Sequence, residues 1–74
     1  MIKDYLGNDV WVGDKVAISA NRGIRVGEVV SINIRNYAGV TYTDSITINR
    51  EFEPGRFKRQ TLPYEQTNLW KVTP

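Results

Sequence analysis

Apolar side chains along this chain fall on alternate positions in short runs, and turn residues separate the runs. In "VGDKVAIS", Val16 and Ile18 alternate with Lys15, Ala17 and Ser19. One face is therefore apolar and the other small or polar, the period-2 signature of a half-buried strand. Val10 and Val12 precede them at the same spacing, after the turn signal "LGND". "NRG" at 21–23 turns the chain, with a glycine to take up positive φ. The next run, "IRVGEVVSINIR", places Ile24, Val26, Val30, Ile32 and Ile34 in one phase. Glu28 interrupts that phase beside Gly27, so a bulge at Gly27–Glu28 is expected to bend the strand and turn Val29 inward.

After "NYAG" the segment "VTYTDSITINREF" puts Val40, Tyr42, Ile46 and Ile48 on one parity. It predicts one long strand, or two with a kink near Asp44–Ser45. Pro54-Gly55 fits the centre of a type II turn, which predicts a hairpin of Ile46–Glu53 against Arg56–Leu62. "LPYEQTN" reads as a loop or short helical turn and "LWKV" as a last short strand. No window of ten residues shows a 3.6-residue apolar period. The pattern predicts an all-β fold of about five strands, with one short helical turn before the last. Closure into a small barrel would remove the exposed edges that so small a domain has no other means to hide.

Size sharpens this picture. Seventy-four residues make one domain, spanning 1–74, and a chain this short buries only roughly 60% of its unfolded surface. The absence of cysteine and histidine excludes disulfides and any ordinary zinc site, and no cofactor is expected. Self-association into a homo-oligomer is the remaining route to extra stability. No stretch approaches the roughly 18 apolar residues of a membrane span, and no signal-peptide run opens the chain, so a cytoplasmic protein without a membrane partner is expected.

Net charge is +2, unevenly distributed. Residues 1–20 carry two lysines against three aspartates, whereas 21–50 carry four arginines against two acids. Arginine forks onto phosphate and carboxylate, so the later part of the chain suits an anionic ligand.

"VGDKVAI" followed by "GEVVSI" resembles the opening of Src-homology-3-like (SH3-like) barrels, including the KOW domains of translation and transcription factors. The order "G-x-x-V-x-V-G-D-x-V", an arginine-containing turn, "G-x-V-x-x-I", a basic hairpin and a final strand is also similar to short proteins of tailed bacteriophages. The resemblance implies a five-stranded SH3-like barrel and, for a phage protein, the host cytoplasm. Its motifs are turn glycines and core valines, which specify a fold and not an activity.

Enzymatic chemistry is not expected. Without histidine or cysteine there is no ordinary nucleophile–base pair. Asp9/Asp14 and Glu51/Glu53 are the possible carboxylate pairs, and the second, beside a turn crowded with arginines, reads as cross-strand charge partners of Arg56, Lys58 or Arg59. "NRGIRVG" has no following helix to aim at a phosphate, although Arg22 and Arg25 could grip one directly.

The strongest functional signal is the interleaving of cations with aromatics, centred on "REFEPGRFKRQT". The candidate ligand-binding residues are Arg22, Arg25, Arg35, Tyr37, Tyr42, Arg56, Lys58 and Arg59. Cations on phosphates and rings under bases are how single-stranded nucleic acid is held. The competing expectation is that Phe52, Phe57, Trp11 and Trp70 fill the core, leaving Arg56 and Lys58 as a solvated outward stripe. Three roles follow: binding of nucleic acid, capture of a phosphate-bearing nucleotide signal by a homo-oligomeric phage counter-defence protein, and docking onto a host protein.

Overall fold

The computed structural model describes residues 2–20 and 23–72. The strands are β1 (Ile2–Lys3), β2 (Asp9–Val10), β3 (Lys15–Ala20), β4 (Gly23–Tyr37), β5 (Val40–Glu53), β6 (Arg56–Pro63) and β7 (Leu69–Lys71), with a 3-10 turn at Gln66–Asn68. The all-β class, the hairpin around Pro54-Gly55 and the helical turn before the last strand all match the expectation. β1 pairs with β2, and the other five strands form an antiparallel sheet ordered β6-β5-β4-β3-β7. β3 to β6 is a meander, and β7 returns to the free side of β3. β6 and β7 remain at opposite edges, and closure of the sheet into a barrel is not found. The sheet nevertheless curls, because Ile18, Ser19 and Ala20 of β3 line one cleft with Leu62 and Pro63 of β6.

Val16 and Ile18 of β3, Val29 of β4, Ile46 and Ile48 of β5 and Leu69 of β7 form the core on one face of the sheet, and Ile2 and Val10 pack onto them. The expected phases of β3 and of Ile46/Ile48 therefore hold. In β4 the expectation fails in an informative way. The bulge lies at Val30, between the pairs Val29↔Ile48 and Ser31↔Thr47, and not at Gly27–Glu28. Val29 points inward as expected, but Ile24, Val26 and Ile34 are exposed and only Ile32 of that phase packs against the core. Gly27 instead lets β5 approach closely, since a Cβ there would stand 2.7 Å from the Asn49 carbonyl oxygen.

Two more bulges shape the long strands. Asp44 is unpaired between Ser45↔Asn33 and Thr43↔Ile34, at the expected kink, and Phe52 is unpaired between Glu51↔Phe57 and Glu53↔Arg56. Beyond Asp44 the β4–β5 hairpin leaves the core and runs out as an arm, in a molecule measuring 43 × 24 × 23 Å.

The N-terminal segment is fastened by a buried carboxylate. Asp4 Oδ1 accepts the amides of Leu6 (2.9 Å) and Asn8 (2.7 Å), and Oδ2 accepts the Lys71 amide of β7 (2.8 Å). Tyr5 N–H donates to the Leu69 carbonyl at 2.7 Å, and the Tyr64 hydroxyl donates to the Lys3 carbonyl at 2.7 Å. No helix among the described residues is long and apolar enough to cross a membrane.

Candidate functional site

The expected site residues separate into groups, and the bulges decide which group each joins. Directly opposite residues in an antiparallel pair project to the same face. A two-residue Pro-Gly turn with no irregularity would set Phe52 opposite Phe57 and Arg50 opposite Arg59. The bulge at Phe52 shifts the register by one, so Arg50 faces Lys58 and Glu51 faces Phe57.

Arg50 and Lys58 thereby continue the core-side face past Ile48, where the core ends. The phenyl ring of Phe52 lies beneath both cations of the turn, with the Arg56 guanidinium 5.5 Å and the Lys58 ammonium 5.3 Å from its centroid. Cation–π attraction at this distance holds the two heads together over one ring. Arg56 also pairs with Glu53 at 3.3 Å, and Arg50 donates to Gln60 Oε1 at 2.9 Å. On β4, Gly27 lies opposite Arg50, and Arg25, two residues earlier, shares the same face opposite Ile18. The buried Nε of Arg25 finds no acceptor among the described residues. Arg25, Arg50 and Lys58 thus share the core-side face at the hairpin end of the molecule, with Arg56 on the same parity of β6, and the tightly packed Gly27 places no side chain between Arg25 and Val29.

Arg35, Tyr37 and Tyr42 form a second group on the arm. Arg35 faces Tyr42 and Tyr37 faces Val40, so all four share one face. Arg35 is neutralised by Asp44 at 3.4 Å. The arm turns through Ala38 (φ 52°) and Gly39 (φ 80°), the pair of positive angles of a type I′ turn. Arg50 lies eight residues along β5 from Tyr42, roughly 27 Å at the usual strand rise of about 3.4 Å. A nucleotide-sized ligand cannot touch both groups on one subunit.

Arg59 belongs to neither group. It lies opposite Asn49 on the outer face of the sheet, with Thr61 and Phe57. Arg22 lies outside the described residues.

The aromatics correct the expected division between core and surface. Phe57 is 56% exposed and Trp11 54%, and Phe52 is exposed as well, so none of the three fills the core. Trp70 alone of the expected core aromatics is half-buried. Because Phe57 faces outward, Arg56 and Lys58 stand on the opposite, core-side parity, and they reach solvent only because the core stops short of them. The tyrosines on the arm are exposed as expected.

Sequence reasoning left Arg50 out of the site and gave Phe52 to the core. Both sit within the basic hairpin, but their roles depend on a bulge that no turn residue announces. The expected charge pairing holds for Glu53, which pairs with Arg56, whereas Glu51 accepts the Gly55 amide; Asp9 pairs with Lys3 and Asp14 with Lys71. The Trp11 amide, on Asp14 Oδ2 at 2.9 Å, outweighs burial and with Lys71 keeps that carboxyl below its ordinary range.

No curated protein and no solved structure matches the chain. The model of one family, described as a domain of unknown function (DUF7205), matches residues 2–61, which takes in the small N-terminal ladder, the meander and the basic hairpin. The chain belongs to that family.

Proposed function

We propose that this protein is a non-enzymatic binding module of the tailed-phage type, an SH3-like barrel acting in the host cytoplasm, that holds single-stranded nucleic acid at the basic end of its β5–β6 hairpin. The observation that carries the reading is the bulge at Phe52, which sets Arg50 opposite Lys58 and places both turn cations over one exposed ring. Phosphates would draw Arg56 and Lys58 outward, and the uncovered phenyl ring would then meet a base. Stacking on an aromatic contributes about 1–3 kcal/mol per base. The unpaired Nε of Arg25 supports an acceptor supplied from outside.

The test is fluorescence anisotropy with labelled single-stranded DNA and RNA oligonucleotides across a salt series. Binding should weaken steeply with salt, since each phosphate contact releases a counterion. The double variant Arg56→Ala/Lys58→Ala should lose at least about tenfold in affinity and keep its circular dichroism spectrum, because both side chains are exposed. Unchanged affinity in the folded variant would overturn the reading.

A second reading, docking onto a host protein, is favoured by the arm. Its Tyr37, Val40 and Tyr42 are exposed on one face while its arginine is already paired, which suits an apolar partner better than phosphate. In that case Tyr37→Ser/Tyr42→Ser, and not the basic pair, would abolish capture of the partner.

A further inference from the structure

The outer face of the sheet carries a row of apolar side chains that the core does not use. Ala17 of β3 pairs with Trp70 of β7 on one side and with Val26 of β4 on the other, so these three share the outer face. Val26 and Phe57 line one cleft of about 460 Å³, across which β4 and β6 face each other over Glu51. Ile24, opposite Ser19, lies one step along the same face. Val26 is 40% exposed and Ile24 59%. The row runs Trp70, Ala17, Val26 and, past Glu51 of β5, Phe57, so it reaches from edge strand to edge strand with one carboxylate within it.

The charges around this row differ in kind from those at the hairpin end. Lys15 faces Glu28, Glu28 faces Asn49, and Asn49 faces Arg59, with Glu51 beside Phe57. Two cations and two carboxylates balance, so the rim taken with Glu51 has no net charge. Such a rim repels the phosphate backbone of a nucleic acid as much as it attracts it. It does match itself: under a two-fold rotation a surface of alternating sign can set its cations against its own carboxylates.

We propose that a second copy of this chain packs on this face, sheet against sheet, with Val26, Ile24 and Phe57 at the centre, the Glu51 carboxylate between Val26 and Phe57 where a cation of the second copy meets it, and Lys15, Glu28 and Arg59 around them. Two sheets pack about 10 Å apart with their facing side chains interdigitated, and the cleft beside Phe57 provides the relief into which the partner's ring inserts. A standard interface takes roughly 800 Å² from each partner, about one-sixth of the 5156 Å² that this chain exposes. The small core gives the same direction: a chain that leaves Ile24, Val26 and Phe57 in water gains stability by covering them. The hairpin cations Arg50, Arg56 and Lys58 lie on the opposite parity and stay free in the dimer.

Sedimentation velocity on the full chain across a concentration series tests this directly. The expected result is a reversible dimer whose dissociation constant rises at least about tenfold in Val26→Glu and in Phe57→Ser. Phe57 sits near the end of an exposed edge hairpin, so its replacement keeps the fold even if the charged variant at Val26 does not. Far-UV circular dichroism and the dispersion of amide proton signals verify that each variant is folded. A monomer at every concentration would overturn the proposal. So would a dimer that survives Phe57→Ser unchanged yet dissociates in Tyr37→Ser/Val40→Ser, which would put the interface on the arm.

Discussion

At the residue scale, two backbone positions carry more than their side chains suggest. Gly27 lies where β5 passes tightly against β4, and an added Cβ would meet the Asn49 carbonyl oxygen at 2.7 Å and its carbon at 3.2 Å. These are backbone atoms, so a rotamer change cannot relieve the contact. Gly27→Ala should cost about 1–3 kcal/mol, read as a lowered urea midpoint at constant m. Ala38 presents the reverse case, an L-residue held at φ 52° in a type I′ turn. Asn or Gly meets that angle with less strain, so Ala38→Asn should raise stability by about 0.5–1 kcal/mol in the same experiment. Neither effect was legible in the sequence. "NYAG" announces a turn without its type, and Gly27 reads as a bulge because nothing in the chain tells which partner strand presses against it.

Elements were more legible than faces. Strand boundaries, the Pro-Gly hairpin and the 3-10 turn follow from local chemistry, since turn residues and β-branched runs act over a few positions. Which face a side chain joins depends on register, and each bulge at Val30, Asp44 and Phe52 flips the parity of everything beyond it. Ile24 shows the consequence: on a uniform alternation it matches Ile32, but the bulge at Val30 puts it on the outer face, 59% exposed, whereas Ile34 keeps the parity of Ile32 and is 61% exposed because it lies past the core on the arm. The candidate site was legible to the same degree. Arg56 and Lys58 stand together and apart from Arg59 as their alternation suggests, while the unpaired Phe52 sets Arg50 opposite Lys58 and not Arg59. A pair of truncations separates the two descriptions of β4. Ile18→Ala, in the core, should cost about 2–5 kcal/mol, whereas Ile34→Ala should cost little, as expected for an exposed position. Equal losses in thermal melts would mean that the arm packs on something within the chain.

For the whole molecule, the N-terminal segment is fastened to the sheet through groups that titrate, so stability should fall at both ends of the pH range. Burial would raise the Asp4 carboxyl, but the amides of Lys71, Asn8 and Leu6 and the Asn8 side chain more than offset it and hold the group below its ordinary value of 3.8. On acidification the unfolded chain takes up the Asp4 proton first, so this contribution is complete above 3.8 and is lost as pH falls through the lower folded value. Asp14 acts with the same sign. Tyr64 acts at the other end: burial, with the Asp4 charge beside it, pushes its hydroxyl above 10.0. Its contribution is complete below 10.0 and is lost as pH rises through the raised folded value, because the unfolded chain ionises first. Urea midpoints measured from about pH 2 to about pH 11 should therefore trace a plateau with a fall on each side. Asp4→Asn leaves the Lys71 amide facing another donor, so it should lower the plateau by about 1–3 kcal/mol and flatten the acid fall. Tyr64→Phe should spare the acid fall and flatten only the alkaline one. An acid fall unchanged in Asp4→Asn would mean that this carboxylate does not tie the N-terminal segment to β7.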